Sequence, residues 1–329
     1  MITDTKVRIV SYIRTNGQAR VKYLAEHLGI GTVALHRQLK SLVESGKLIK
    51  AGSVPKVFYT LASPSPEKIE TKSHDASQLL DKYFAYVDPT GRFVTGITGF
   101  RIWLKNVNKS DQEASLLARY IKDREELHSL FSPQGWIDAT QNVARTFGAD
   151  MSLDGVYYQD FYSLPTFGKT RLGTLMLYAK QSENRELIWQ TTDESHDTLH
   201  KLTRFLHVDA VGFLPHSILR KVQFLKEYAK RSQVSLPKID MTKAYHGKIR
   251  VAQKTLGKLE ERIKNARETI FIDQITARYH HVLLIDDAVG SGATLNETAK
   301  KIKKMGIAQK VYGFAVVGSI KKFEIIREV

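Results

Sequence analysis

Four consecutive branched apolar residues, Val282-Leu283-Leu284-Ile285, run directly into two aspartates, Asp286 and Asp287. An unbroken apolar run predicts a strand covered on both faces, the condition of a strand inside a parallel sheet. Open α/β sheets bind ligands at the carboxyl ends of their strands, so a pair of acids at this point constrains fold and function together. A small-residue loop follows, Ala288-Val289-Gly290-Ser291-Gly292-Ala293, and then Thr294 and Glu297 at the capping-box spacing. That spacing predicts a helix starting at Thr294 and ending near Met305-Gly306. Gly290, Ser291, Gly292 and Ala293 can turn backbone N–H groups toward a phosphate at the helix N-terminus, where the dipole favours an anion. Asp286 and Asp287 can accept hydrogen bonds from the two hydroxyls of a ribose attached to that phosphate.

Other phosphate motifs fail on inspection. Leu295 stands where the third glycine of a dinucleotide fingerprint belongs, and Gly168-Lys169-Thr170 lacks the earlier glycine of a P-loop because Ser163 occupies it. His280-His281 is rejected as a metal pair, since adjacent residues at a strand entry point to opposite faces. Tyr157, Tyr158, Tyr162 and Phe167 can form a hood over a nucleobase or belong to the core. From about Ala149 onward strand patterns alternate with helical ones, which predicts an α/β fold with a parallel sheet over 149–329. Residues 77–148 read as a mainly helical segment, with Leu116, Leu117, Tyr120 and Ile121 at helical spacing and Val94 to Phe100 as a loop or hairpin. Ser63-Pro64-Ser65-Pro66 opens a polar stretch, 63–76, expected to be a linker.

The stretch Val282 to Leu295 resembles the phosphoribosyl-pyrophosphate (PRPP) motif of the type I phosphoribosyltransferases in its apolar run, paired acids, small loop and threonine. Val208 to Pro215 is similar to an earlier strand of that family, with Leu214-Pro215-His216-Ser217 where its pyrophosphate-binding loop falls. Gln253, Leu256, Arg262 and Asn265, followed by Phe271, resemble the competence-protein F type, with one residue more than that subgroup's spacing. The resemblance implies PRPP binding by Asp286, Asp287, Ala288, Gly290, Ser291, Gly292, Ala293, Thr294, Pro215, His216 and Ser217. It further implies Mg²⁺ arriving with PRPP and held by Asp286 and Asp287. In a catalytic member the acids would be joined by a basic loop over the departing pyrophosphate, for which Arg250 and Lys254 are the candidates.

The first 62 residues carry three helical patterns and a hairpin. Val7, Ile9, Val10 and Ile13 mark the first helix; Val21, Leu24, Ala25 and Leu28 mark the second, with Gly29 ending it. Thr32 is expected to cap the third, whose Leu35, Leu39, Leu42 and Val43 face inward. Leu48-Ile49-Lys50 and Val57-Phe58-Tyr59 form the hairpin. The order resembles the winged helix-turn-helix of bacterial repressors. Residues 1–62 hold ten Lys and Arg against Asp4, Glu26 and Glu44, which suits a nucleic-acid partner. Thr32, His36, Arg37 and Lys40 on the third helix and Lys50 and Lys56 on the wing are the expected contacts.

The whole chain of 329 residues has 50 Lys plus Arg against 34 Asp plus Glu, a net charge of +16, which points to polyanionic partners. It has no cysteine, which excludes disulfides, cysteine metal sites and a thiol nucleophile. The opening residues show no apolar leader and no run is long enough for a membrane span, so the expectation is a cytoplasmic protein without a membrane partner. Three functions fit: a DNA-binding regulator, expected as a homodimer, whose phosphoribosyltransferase-like domain senses PRPP or a nucleotide; an active phosphoribosyltransferase tethered to nucleic acid; or a retron-type antiphage defence effector that binds a DNA–RNA hybrid molecule.

Overall fold

A computed structural model describes residues 5–52, 56–62, 74–245, 256–273 and 277–319. Contacts divide the chain into two compact units, Met1–Lys72 with Asp88–Arg92, and Ser73–Val87 with Phe93–Val329.

In the first unit, α1 (Thr5–Asn16), β1 (Gln18–Ala19), α2 (Val21–Leu28), α3 (Thr32–Glu44), β2 (Leu48–Ala51) and β3 (Phe58–Leu61) follow one another. The strands form one antiparallel sheet in the order β1-β3-β2. Ile9, Ile13, Leu24, Leu28, Leu35, Leu39, Leu42, Leu48 and Tyr59 make its core, so each helix contributes the stripe its apolar spacing predicts. Gly29 takes the left-handed conformation, φ 66°, and its N–H closes α2 on the Ala25 carbonyl. Thr32 does not cap α3. Gly31 holds the extended junction position, which makes Thr32 the first helical residue, and no side chain caps this end.

The second unit opens with α4 (His74–Tyr83), which begins inside the stretch expected as linker, and the hairpin β4 (Ala85–Val87) and β5 (Phe93–Thr95). The expected loop at Val94–Phe100 is divided between β5 and α5 (Gly96–Asn106). Gly99 lets α5 lie against the hairpin, because a side chain there would run into the Val94 carbonyl. Next come α6 (Glu113–His128), β6 (Ile137–Asp138), α7 (Thr140–Phe147), β7 (Gly155–Phe161), β8 (Ser163–Leu164), β9 (Gly168–Lys169), α8 (Arg171–Ser182) and α9 (Arg185–Phe205). The rest is β10 (Ala210–Phe213), α10 (Phe224–Arg231), β11 (Met241–Lys243), α11 (Leu259–Thr269), β12 (Ile270–Ile272), β13 (Tyr279–Val289), α12 (Ala293–Lys304) and β14 (Ala308–Gly318).

The main sheet has the order β10-β13-β14-β7-β6. Its first four strands run parallel, and β6 adds an antiparallel edge to β7. Val282, Leu283, Leu284 and Ile285 are fully buried in β13, which lies between β10 and β14. The preceding segment, apart from Asp88–Arg92, is part of the same unit. Buried Arg124 of α6 donates to both carboxylate oxygens of buried Asp160 in β7, at 3.2 and 3.4 Å, and its guanidinium lies 3.9 Å from the Tyr83 ring centroid. Such a pair offsets the cost of burying each charge, and removing one partner strands the other.

Candidate functional site

The parallel register brings two loops to one edge of the sheet. Phe213, the last residue of β10, is paired with Ile285 of β13, and Leu214-Pro215-His216-Ser217 leaves the sheet there. Strand β13 runs on past β10 through Asp286 and Asp287, still paired with β14. It turns out of the sheet only after Val289, two residues later than the loop expected from Ala288. Between them opens a cleft of about 710 Å³. Pro215, His216, Ser217, Asp286, Asp287, Ala288, Gly290, Ser291, Gly292, Ala293 and Thr294 all line it. Residues far apart in sequence are therefore brought together as neighbours. Arg250 and Lys254 lie outside the described residues.

The small loop is shaped by Gly292, whose φ of 76° favours glycine. A side chain there would also press on Val143 of α7, so α7 supports the loop from behind. The helix starts at Ala293, one residue earlier than the capping-box spacing predicts. Glu297 does not reach back to the helix start, because Arg267 of α11 takes both its oxygens, at 2.9 and 3.4 Å. Asn296 anchors the helix instead: its carbonyl oxygen accepts from Ser152 N at 2.7 Å and its amide donates to the Asp150 carbonyl at 3.0 Å. The first turn of α12 is thus fixed with its N–H groups at the cleft.

The acid pair is flanked by two lysines that sequence patterning did not single out. Lys180 Nζ, from the last turn of α8, donates to Asp287 Oδ2 at 2.7 Å. Lys243 Nζ, at the end of β11, donates to Ser217 Oγ at 2.8 Å, while Tyr245 Oη donates to the Ser217 carbonyl at 3.1 Å. The Asp287 N–H donates to Asp286 Oδ1 at 2.8 Å. Burial, together with the charge of Asp287, pushes the Asp286 carboxyl up to about 7 against the opposing pull of Lys180 and Lys243. Burial likewise pulls the Lys243 ammonium down to about 8, although Asp286 favours its charged form. Neither lysine shows a local sequence signal; each reaches the acids through the topology.

Mg²⁺ held by Asp286 and Asp287 does not fit this donor set. Asp287 Oδ2 is engaged by the Lys180 ammonium at 2.7 Å, and Lys243, on Ser217 in the same cleft, adds a second positive charge that acts on Asp286. Of the two roles open to the four aromatics, the core is the one they take. Tyr157, Tyr158 and Tyr162 are buried in the sheet core, and Phe167 packs with Phe100, Trp103 and Tyr120 in a second core. None of the four lines the cleft; among the described residues the aromatics that do are Phe213, Phe224 and Tyr245. Lys169 sits on the β8–β9 hairpin, and Thr170 caps α8 by accepting from Gly173 N at 3.0 Å. The backbone N–H groups of His280 and His281 donate to the Asp209 carboxylate, at 2.8 Å each.

In the first unit, Thr32, His36, Arg37 and Lys40 are exposed on α3 opposite its buried leucines, and Lys50 and Lys56 are exposed on or beside the β2–β3 strands. Lys40 has an ion pair with Glu44 at 3.8 Å, on the surface of the same helix, where such pairs contribute little.

The raised carboxyl gives a signed pH dependence. Between its ordinary value of 3.8 and about 7, the folded chain keeps a proton on Asp286 that the unfolded chain releases. Stability therefore falls as pH rises through this window. Urea midpoints at pH 4.5 and pH 7.5 should show Asp286→Asn gaining most relative to wild type at the higher pH; an equal change at both would remove Asp286 as the cause.

No family model matches the chain, and no curated protein matches it. Among solved structures it is similar to a hypoxanthine phosphoribosyltransferase from Staphylococcus aureus, at 19% identity and a TM-score of 0.23. That alignment covers 41% of this chain and 63% of the other, less than two thirds of its length. The functional reading rests on the cleft's own residues.

Proposed function

We propose that the second unit binds a 5′-phosphoribosyl ligand, PRPP or a nucleotide, and that the first unit is a winged helix-turn-helix that binds nucleic acid, so that the chain is a ligand-responsive regulator. The carrying observation is a single cleft at the carboxyl edge of a parallel sheet that combines paired acids, a small-residue loop at a helix N-terminus and the Pro215–Ser217 loop. Such an edge is where α/β sheets bind ligands. The loop suits the 5′-phosphate, and the acids suit the ribose hydroxyls.

A second reading, phosphoribosyl transfer, is favoured by Lys180, Arg220, Lys243 and Arg262, which line the same cleft. Positive charge beyond the phosphate loop would stabilise pyrophosphate as it departs.

Calorimetry with PRPP should show binding to the full chain that the double variant Asp286→Ala/Asp287→Ala loses; unchanged binding in that variant contradicts the site. For the first unit, duplex binding should fall steeply with salt, because contacts to phosphate release counterions. Arg37→Ala and Lys40→Ala should each weaken it. Linkage requires PRPP and the duplex to change each other's affinity by the same factor, at least about fivefold for typical coupling. Salt-insensitive binding would contradict the nucleic-acid role, and steady base-dependent pyrophosphate release with no coupling would favour the enzyme.

A further inference from the structure

The acids of the cleft are already compensated by charges that the chain itself supplies. The Lys180–Asp287 pair is drawn from two separate elements, and only 13% and 22% of the two side chains is exposed. A pair this sheltered is screened far less than a surface pair. The Lys180 backbone is held as well: Arg220 donates to its carbonyl at 2.6 Å, and Glu183, three residues on, accepts from Val222 N at 3.1 Å. The same loop that brings Ser217 into the cleft therefore fixes the helix end that carries Lys180. On the other flank, Lys243 is oriented by Ser217.

With Asp287 paired to Lys180 and Lys243 lining the same cleft, little negative charge is left to attract a divalent cation. A metal ion inserted here would meet two like charges, because an ammonium, unlike a water, cannot turn an acceptor toward it. The hydrogen bonds from Lys180 and the Asp287 N–H use Asp287 Oδ2 and Asp286 Oδ1. The other oxygen of each carboxylate is left to serve a ligand hydroxyl.

We infer that Lys180 takes the place of a divalent cation at the acid pair, so that the chain binds the ribose of a phosphoribosyl ligand without a metal ion there. This rests on the reading of the cleft as a phosphoribosyl site. Lys180 is a positioning residue: it holds the Asp287 carboxylate aimed, and the hydroxyls are received by the acids.

The test uses ribose 5-phosphate, which has no pyrophosphate of its own to carry magnesium. Calorimetry on the full chain in EDTA and in excess MgCl₂ should give affinities within about twofold of each other. Lys180→Met should bind at least about tenfold more weakly in EDTA, the scale of losing a charged hydrogen-bond partner, and should recover when magnesium is added. Lys180→Gln, which keeps length and polarity, provides a second variant if the methionine form does not fold. Electron paramagnetic resonance of Mn²⁺ should show the ion remaining free beside the wild-type chain. A wild-type affinity that falls about tenfold or more in EDTA, or capture of Mn²⁺ by the wild-type chain, overturns the inference and leaves the cleft reading standing. Absence of ribose 5-phosphate binding in both buffers overturns the cleft reading, and this inference with it.

Discussion

The second unit depends on one strand that is buried on both faces and yet ends in charge. Val282 to Ile285 fill the middle of the sheet with no exposure at all, and the next two residues are aspartates. Burying the apolar run on both faces stabilises the parallel sheet. The same strand carries the acids just past the end of β10, where β13 is paired on its β14 side only. The cleft follows from that placement: the loop after β10 lies beside the free side of β13 at the acids and beside the turn that follows Val289.

The surrounding elements keep this edge rigid. Helix α7 backs the Gly292 turn through Val143, and Asn296 ties α12 to the chain just before β7. Arg124 and Asp160 join α6 to β7 in a setting where neither charge can be left alone. These contacts explain why residues 77–87 and 93–148 share a unit with the sheet, with β6 completing one of its edges.

What the sequence made legible was local. The run from Val282 to Thr294 announces strand, loop and helix through consecutive residues, and the first unit shows its helices through leucine spacing and Gly29. What escaped it depends on partners distant in the chain. Glu297 has the spacing of a capping residue, but Arg267 on another helix wins it. Tyr157 and Phe167 are the right residue types for a base-stacking hood, yet burial in two separate cores takes them from the cleft. Lys180 and Lys243 bear no mark that separates them from the chain's many other basic residues; only the folding of α8 and β11 around the sheet edge brings them to the acids. Those two lysines also bear on the Mg²⁺ expected at the acid pair, because one of them already pairs with Asp287.

Hydrogen exchange of the full chain with and without PRPP tests the central claim most directly, because it reports which backbone amides the ligand covers. If the ligand sits as argued, PRPP slows exchange across Ala288 to Leu295 and at His216 and Ser217, and the protection is lost when Asp286 and Asp287 are both replaced by alanine. Protection confined to other parts of the chain, or equal protection in the double variant, would contradict the account.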